Sequence, residues 1–196
     1  MGKWILGIVV VFALVAGLGG VSVYNSLVSL DQAVQAQWAQ VENVYQRRAD
    51  LIPNLVETVK GAAAFETDTF TAVTEARAKV GQVNAGDLAN NPEAFARFQQ
   101  AQDGLSSALS RLMVVVERYP DLKATQNFRD LQVQLEGTEN RITQERRRFN
   151  ETAQAFNTKR MSFPTVLVAG FFGGRFNEKP YFKAQAGAET APAVKF

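Results

Sequence analysis

The chain opens on an unbroken apolar run and continues as a seven-residue rhythm. No charged residue occurs from Trp4 to Leu30, and twelve of the residues of WILGIVVVFALVAGLGGVSV (Trp4–Val23) are Leu, Ile, Val or Phe. At 1.5 Å per residue that run is ~30 Å of helix, one bilayer core. Beyond it, Val34, Trp38, Val41, Tyr45, Arg48, Ile52, Leu55, Val59 and Ala62 are separated by alternating steps of four and three. That is the seam of a helix packed against other helices. A second, Thr-rich seam is shorter: Phe65, Thr69, Val73, Ala76 and Val80. GQVNAGDLANN (81–91) then reads as a loop, with Gly81 as a C-cap. A third helix starts at Asn91, whose side chain caps, and Pro92, which has no N–H to lose. It carries Phe95, Phe98, Gln102, Leu105, Leu109, Leu112, Val116 and Tyr119, and ends at Pro120. The fourth shows Phe128, Leu131, Leu135, Thr138, Ile142, Glu145, Phe149, Thr152 and Phe156, and stops at SFP, 162–164.

No stretch alternates with period two over a strand's length. The expected fold is therefore all-α: an N-terminal transmembrane helix (4–24) after a short tail (1–3), then an elongated antiparallel four-helix bundle (25–162). Residues 163–183 form an apolar membrane-proximal segment, and 184–196 read as a disordered tail. Helix 1 (25–62) and helix 4 (121–161) would each be ~55–60 Å long, helices 2 and 3 only ~25–40 Å. The longer pair outreaches the shorter at the membrane-near end, where Val34, Trp38, Phe149 and Phe156 would lack partners within one chain. An uncovered aromatic seam requires lipid, the C-terminal segment or a second copy. Hence self-association is expected.

Charge sets the orientation. Lys3 precedes the span, and no Lys or Arg occurs from Tyr24 to Gln46. The positive-inside rule then puts residues 1–3 in the cytoplasm and the bundle outside the bacterial cytoplasmic membrane. Lys+Arg 21 against Asp+Glu 19 gives a net charge of +2, too little field to expect nucleic acid as a partner. The sequence has no Cys and no His, so thiol nucleophiles, imidazole bases and nearly all zinc sites are excluded. No catalytic residue, metal ligand or cofactor site is expected.

One stretch breaks the apolar logic. RRADLIPNLVETVK (Arg47–Lys60) places Arg48 in the seam and Pro53 within it. Either Pro53 begins a new helix capped by Asp50, or it kinks a continuous one; the unbroken phase of the seam favours the kink. A kink frees the Ala49 carbonyl, with Arg47, Arg48, Asp50 and Asn54 close by. In an antiparallel bundle Arg48 meets Glu139 or Glu145, and Asn54 meets Glu136. The favoured reading is an ion pair that fixes helix register. A ligand or catalytic site at this patch, and a solvated pair on a helix edge, are the alternatives.

FPTVLVAGFFGGRFNEKPYF (Phe163–Phe182) is strongly apolar but too short to span. It either folds back over the membrane-near seam or dips into the lipid interface through Val166, Leu167, Val168, Phe171 and Phe172.

Tyr24–Gly61, YNSLVSLDQAVQAQWAQVENVYQRRADLIPNLVETVKG, and Arg118–Asn157, RYPDLKATQNFRDLQVQLEGTENRITQERRRFNETAQAFN, closely resemble the LemA family of bacterial membrane proteins. The resemblance covers about residues 3–183. Its pattern falls on Arg47, Arg48, Asp50, Pro53, Asn54 and Glu57, then on Tyr119, Pro120, Asn127, Glu136, Glu139, Asn140 and Arg141. It implies a short cytoplasmic N-terminus, one span, a helical bundle outside and no established enzymatic activity. The expected function is a non-enzymatic envelope scaffold or adaptor, single-pass and self-associating, with other envelope proteins as further partners. A peptide- or lipid-binding sensor, or an enzyme, at Arg48 and Glu139 is the alternative.

Overall fold

The computed structural model describes residues 2–61, 67–83 and 88–184. Ala62, Phe65 and Glu66, and the tail beyond Ala184, lie outside them. The chain folds as α1 (Gly2–Lys60), α2 (Thr67–Gln82), α3 (Pro92–Val116), α4 (Pro120–Lys123), α5 (Gln126–Met161) and α6 (Thr165–Phe171), with 3-10 turns at Leu88–Asn90 and Gly173–Phe176. Among the described residues there is no strand.

The apolar run and the first bundle helix are one element. Within α1 the side chains from Trp4 to Val21 that are large and apolar stand exposed, while Leu27, Val34, Trp38 and Val41 are buried. It is one helix long and apolar enough to cross a membrane. No proline separates the two parts, and the helix continues through Gly17, Gly19 and Gly20 from one into the other.

The helices run up, down, up, down. Trp38 packs on Phe149, and Arg48 reaches Glu139, so α1 and α5 are antiparallel. Trp38 also meets Phe95 while Arg48 meets Ser106, so α3 runs parallel to α1. The α3 cap forms as its sequence dictates: Asn91 Oδ1 accepts from the Ala94 N–H at 3.0 Å, and Pro92 is the first helical residue. Every α1 seam residue from Val34 to Val59 is buried, as are Phe95 to Val116 of the α3 seam. In α2 the buried position is Phe70 rather than Thr69, and in α5 Ala153 rather than Thr152, each one step along. The helix also runs through Gly81 to Gln82. Leu88 and Ala89, in the expected loop, enter the core.

The core divides into two apolar clusters. One, near the apolar run, gathers Trp38, Phe95, Phe149, Phe156, Phe176 and Phe182 among others. The other, distal, is built around Ile52, Leu105, Leu112 and Phe128. The expectation that Val34, Trp38, Phe149 and Phe156 lack partners within one chain is overturned. They are 0–4% exposed, because Phe95, the Leu88–Asn90 turn and the C-terminal segment all cover them. The helical rise alone does not count that segment.

Candidate functional site

Arg48 lies between the two clusters, 1% exposed. Its guanidinium ends in a ring of acceptors. Nη1 donates to Glu139 Oε1 at 2.7 Å and to Ser106 Oγ at 2.9 Å. Nη2 donates to Gln102 through both its side-chain and backbone oxygens. The Tyr45 ring lies 5.2 Å from the guanidinium carbon. Nε alone has no acceptor among the described residues. A buried cation so enclosed joins three helices at one level, since α1, α3 and α5 each supply a member. A groove of about 650 Å³ between α3 and α5 reaches Ser106 and Glu139, but Arg48 does not line it.

The other patch residues are dispersed. Arg47, Pro53 and Asn54 are exposed. Asp50 accepts from Gln46 at 2.8 Å, and Glu136 from Gln132 at 2.9 Å. Asn54 faces Asn127 and Asp130, not Glu136. The reason is register. Six residues forward on α1 are about six back on an antiparallel α5, so a chain that pairs Arg48 with Glu139 pairs Asn54 well before Glu136. Glu145 is likewise too far along for Arg48: it accepts from Gln37 at 2.6 Å and from Arg148 at 2.9 Å.

The Ala49 carbonyl, deprived of a donor by Pro53, takes one from α2: Arg77 Nε donates to it at 3.1 Å. The helix is continuous through Pro53. Pro53→Ala restores the backbone donor and should raise stability by about 1–2 kcal/mol, once the proline's restriction of the unfolded chain is deducted. Arg77→Ala should then cost about 0.5–1 kcal/mol in the parent chain and almost nothing in Pro53→Ala. Urea unfolding of the four chains measures both.

Burial pushes the Tyr45 hydroxyl above its ordinary 10.0; Arg146 and Arg48 pull it down, Asp103 and Glu139 add to the rise. The folded chain therefore holds this proton where the unfolded chain has lost it. That contribution to stability is intact below pH ~10 and falls as pH rises toward the folded value. Tyr45→Phe should flatten the alkaline limb of a stability-against-pH curve.

Val166, Leu167, Phe171 and Phe172 are exposed on and just after α6, while Thr165 and Ala169 face inward. Val168 is half-buried and lines, with Leu167, Phe171 and Phe172, an apolar groove of about 460 Å³ against Gly17, Gly20, Val21 and Tyr24 of α1. Both readings of residues 163–182 thus have a counterpart: α6 presents apolar side chains level with the end of the apolar run, and the following residues fold back into the bundle.

The returning strap, 177–183, has no helix or strand of its own and is held by side-chain amides that sequence reasoning missed. Asn157 accepts from the Lys179 N–H and donates to the Lys179 carbonyl, both at 2.9 Å. Asn150 treats Phe182 in the same way, at 2.9 and 3.0 Å. Gln99 of α3 does so for Lys183, at 3.3 and 2.9 Å. The Lys179 ammonium is buried, bonded to Asp31 and Asn90. The signal available in the sequence was faint: Asn150 and Asn157 share one face of α5, and Lys179 is one of two cations, with Arg175, in an apolar segment.

The family model described as the LemA family matches residues 37–196. Magnetosome protein MamQ of Magnetospirillum gryphiswaldense is 28% identical over 178 residues, which is 80% of this chain and 65% of that protein. Magnetosome protein MamQ 2 of Paramagnetospirillum magneticum is 26% identical over 184 residues, 85% of this chain and 67% of that protein. Protein LemA of Metamycoplasma hominis is 23% identical over 145 residues, 74% of this chain and 63% of that protein. The chain spans about two thirds of the length of these relatives.

Proposed function

The chain belongs to the LemA family, and on that footing we propose that it is a non-enzymatic scaffold or adaptor of the bacterial cell envelope, anchored in the cytoplasmic membrane and working by contact. Its partners are copies of itself and other envelope proteins. The N-terminus lies in the cytoplasm and the bundle on the periplasmic or extracellular side. The observation that carries this reading is the continuity of α1, which joins an exposed apolar run to a packed bundle without a hinge. A continuous helical junction of that kind keeps a bundle close above a bilayer, which suits contact between neighbours. Exposed Leu167 and Phe171, beside Gly17–Tyr24, add a second footing in the lipid interface. The Arg48 ring supports a structural role, because Glu139, Ser106 and Gln102 already occupy its terminal nitrogens.

Light scattering of the full-length chain in mild detergent tests the contact reading. A mass of two or more copies is expected, and a monomer at all concentrations overturns self-association. Protease added to the cytosolic face of sealed vesicles tests the orientation. It should spare the chain beyond residue 30, and digestion of the bundle overturns the topology.

A further inference from the structure

The strap is bound as a peptide ligand is bound. Its backbone is read at three residues by amides that both donate and accept, and two of its side chains enter dedicated sites. Asn150 and Asn157 are seven residues apart on α5, ~10.5 Å along the helix. Lys179 and Phe182 are three residues apart in extended chain, ~10 Å. The two spacings match, so the helix offers one amide for every third residue of an extended strand. Between the rungs stands Pro180, which has no N–H to satisfy.

The side-chain sites are equally specific. The Lys179 ammonium meets Asp31 from α1 and Asn90 from the turn before α3, and lies 4.7 Å from the Phe156 ring centre. The Phe182 ring sits in an aromatic cage, its centroid 4.6 Å from Phe95, 5.5 Å from Phe149 and 6.1 Å from Trp38. Arg146 covers it at 4.7 Å and donates to the Lys183 carbonyl at 2.8 Å. The strap follows Gly173 (φ +55°) and Gly174, the first in a left-handed conformation that suits glycine.

We propose that this groove, which reads the Lys-x-x-aromatic pattern of Lys179 and Phe182, also takes the strap of a second copy, so that neighbouring chains associate by exchanging residues 175–183. The proposal deepens the self-association reading and rests on it. Apart from the Gly173–Phe176 turn and the Phe172–Phe176 ring contact, which span the hinge, every strap contact made within one chain is available between two, so exchange costs few contacts; the glycine pair supplies the hinge. Anchoring in one membrane raises the local concentration of second copies, which is what an exchange between chains requires.

Two full-length variants test it. Lys179→Ala/Phe182→Ala weakens the strap and leaves the groove; Asn150→Leu/Asn157→Leu breaks the groove and leaves the strap. A fluorescent peptide with the sequence Arg175–Ala184 should bind the strap-weakened chain about tenfold or more tighter than the parent chain, whose groove is filled. Peptides carrying Lys179→Ala or Phe182→Ala should each lose about tenfold or more. Mixed in one detergent preparation, the two variants should associate one to one, although each alone stays monomeric. Failure of the peptide to bind, equal binding of all peptides, or a mixture that remains monomeric overturns the exchange. If the parent chain associates by light scattering while the mixture does not, association stands and strap exchange falls. If parent and mixture are both monomeric, both readings fall. Should the strap-weakened chain lose its helical circular dichroism, Lys179→Met, which keeps the aliphatic stem against Phe156, replaces it in every comparison.

Discussion

Glu139→Ala lowers the stability of the bundle by about 3 kcal/mol or more. The cause is an asymmetry between partners: the Arg48 side chain is 2% exposed and that of Glu139 41%. A guanidinium does not surrender its proton in a protein. Without the carboxylate, a buried cation is left with neutral Ser106 and Gln102 and the Tyr45 ring, with its Nε already lacking an acceptor among the described residues. Arg48→Met strands less. Glu139 sits at a rim where it turns to water, and the loss of about 1–2 kcal/mol comes from acceptors on Gln102 and Ser106 left without a donor. Arg48→Met/Glu139→Gln should recover most of the Glu139→Ala loss, because it removes the buried cation together with its half-exposed partner, and exchanging both members of such a pair for uncharged groups of similar volume is often neutral. Urea unfolding followed by circular dichroism gives the comparison. Equal losses in the two single variants would mean that attraction between the pair, not a stranded cation, sets the scale.

That asymmetry was half legible beforehand. A cation on a seam position, with Glu139 or Glu145 opposite in an antiparallel bundle, follows from periodicity alone, since a seven-residue rhythm fixes which residues face inward; it leaves the choice between the two open. It does not fix which neutral groups complete the ring. Ser106 gives no sign of its role in any pattern of spacing, and Gln102 shows only that a polar residue occupies the seam. Levels were legible to within about two turns, which is why Glu136 was paired with Asn54 and is in fact beside Gln132. The α3 start was fully legible, since Asn91 and Pro92 act through their own backbone chemistry. Phe70 in place of Thr69 was not: a weakly apolar segment of Thr and Ala leaves its rotation to whatever it packs against. The strap was the largest omission. Its order comes from side-chain amides on α3 and α5 reading an extended backbone, an arrangement with no periodicity of its own. The uncovered seam and the apolar segment, for which folding back over that seam was one of two readings, are two halves of one feature, for Phe176 and Phe182 fill the space that helix lengths left empty.

Because the strap closes one cluster only, the two halves of the core should fail separately, and Trp38→Ala shows it. Trp38 is 4% exposed, with its ring centre 5.4–6.1 Å from those of Phe95, Phe98, Phe149 and Phe182. Its indole N–H donates to Glu42 at 2.8 Å. Truncation removes the centre of that cage and should cost about 3–5 kcal/mol. Trp38 belongs to the membrane-near cluster, and the polar ring of Arg48 stands between it and the distal one. Packing lost on one side of a polar layer is not transmitted as side-chain strain across it, so opening is expected to be local. Amide hydrogen exchange should accelerate at Lys179, Phe182 and Lys183 and along α5 from 149 to 157, while α5 from 128 to 135 keeps its protection. Leu109→Ala, in the distal cluster, should cost about 2–5 kcal/mol and give the reverse map, with the strap amides protected. Uniform acceleration over the whole bundle in both variants would show that it unfolds as one unit, and that the Arg48 layer couples the halves instead of separating them.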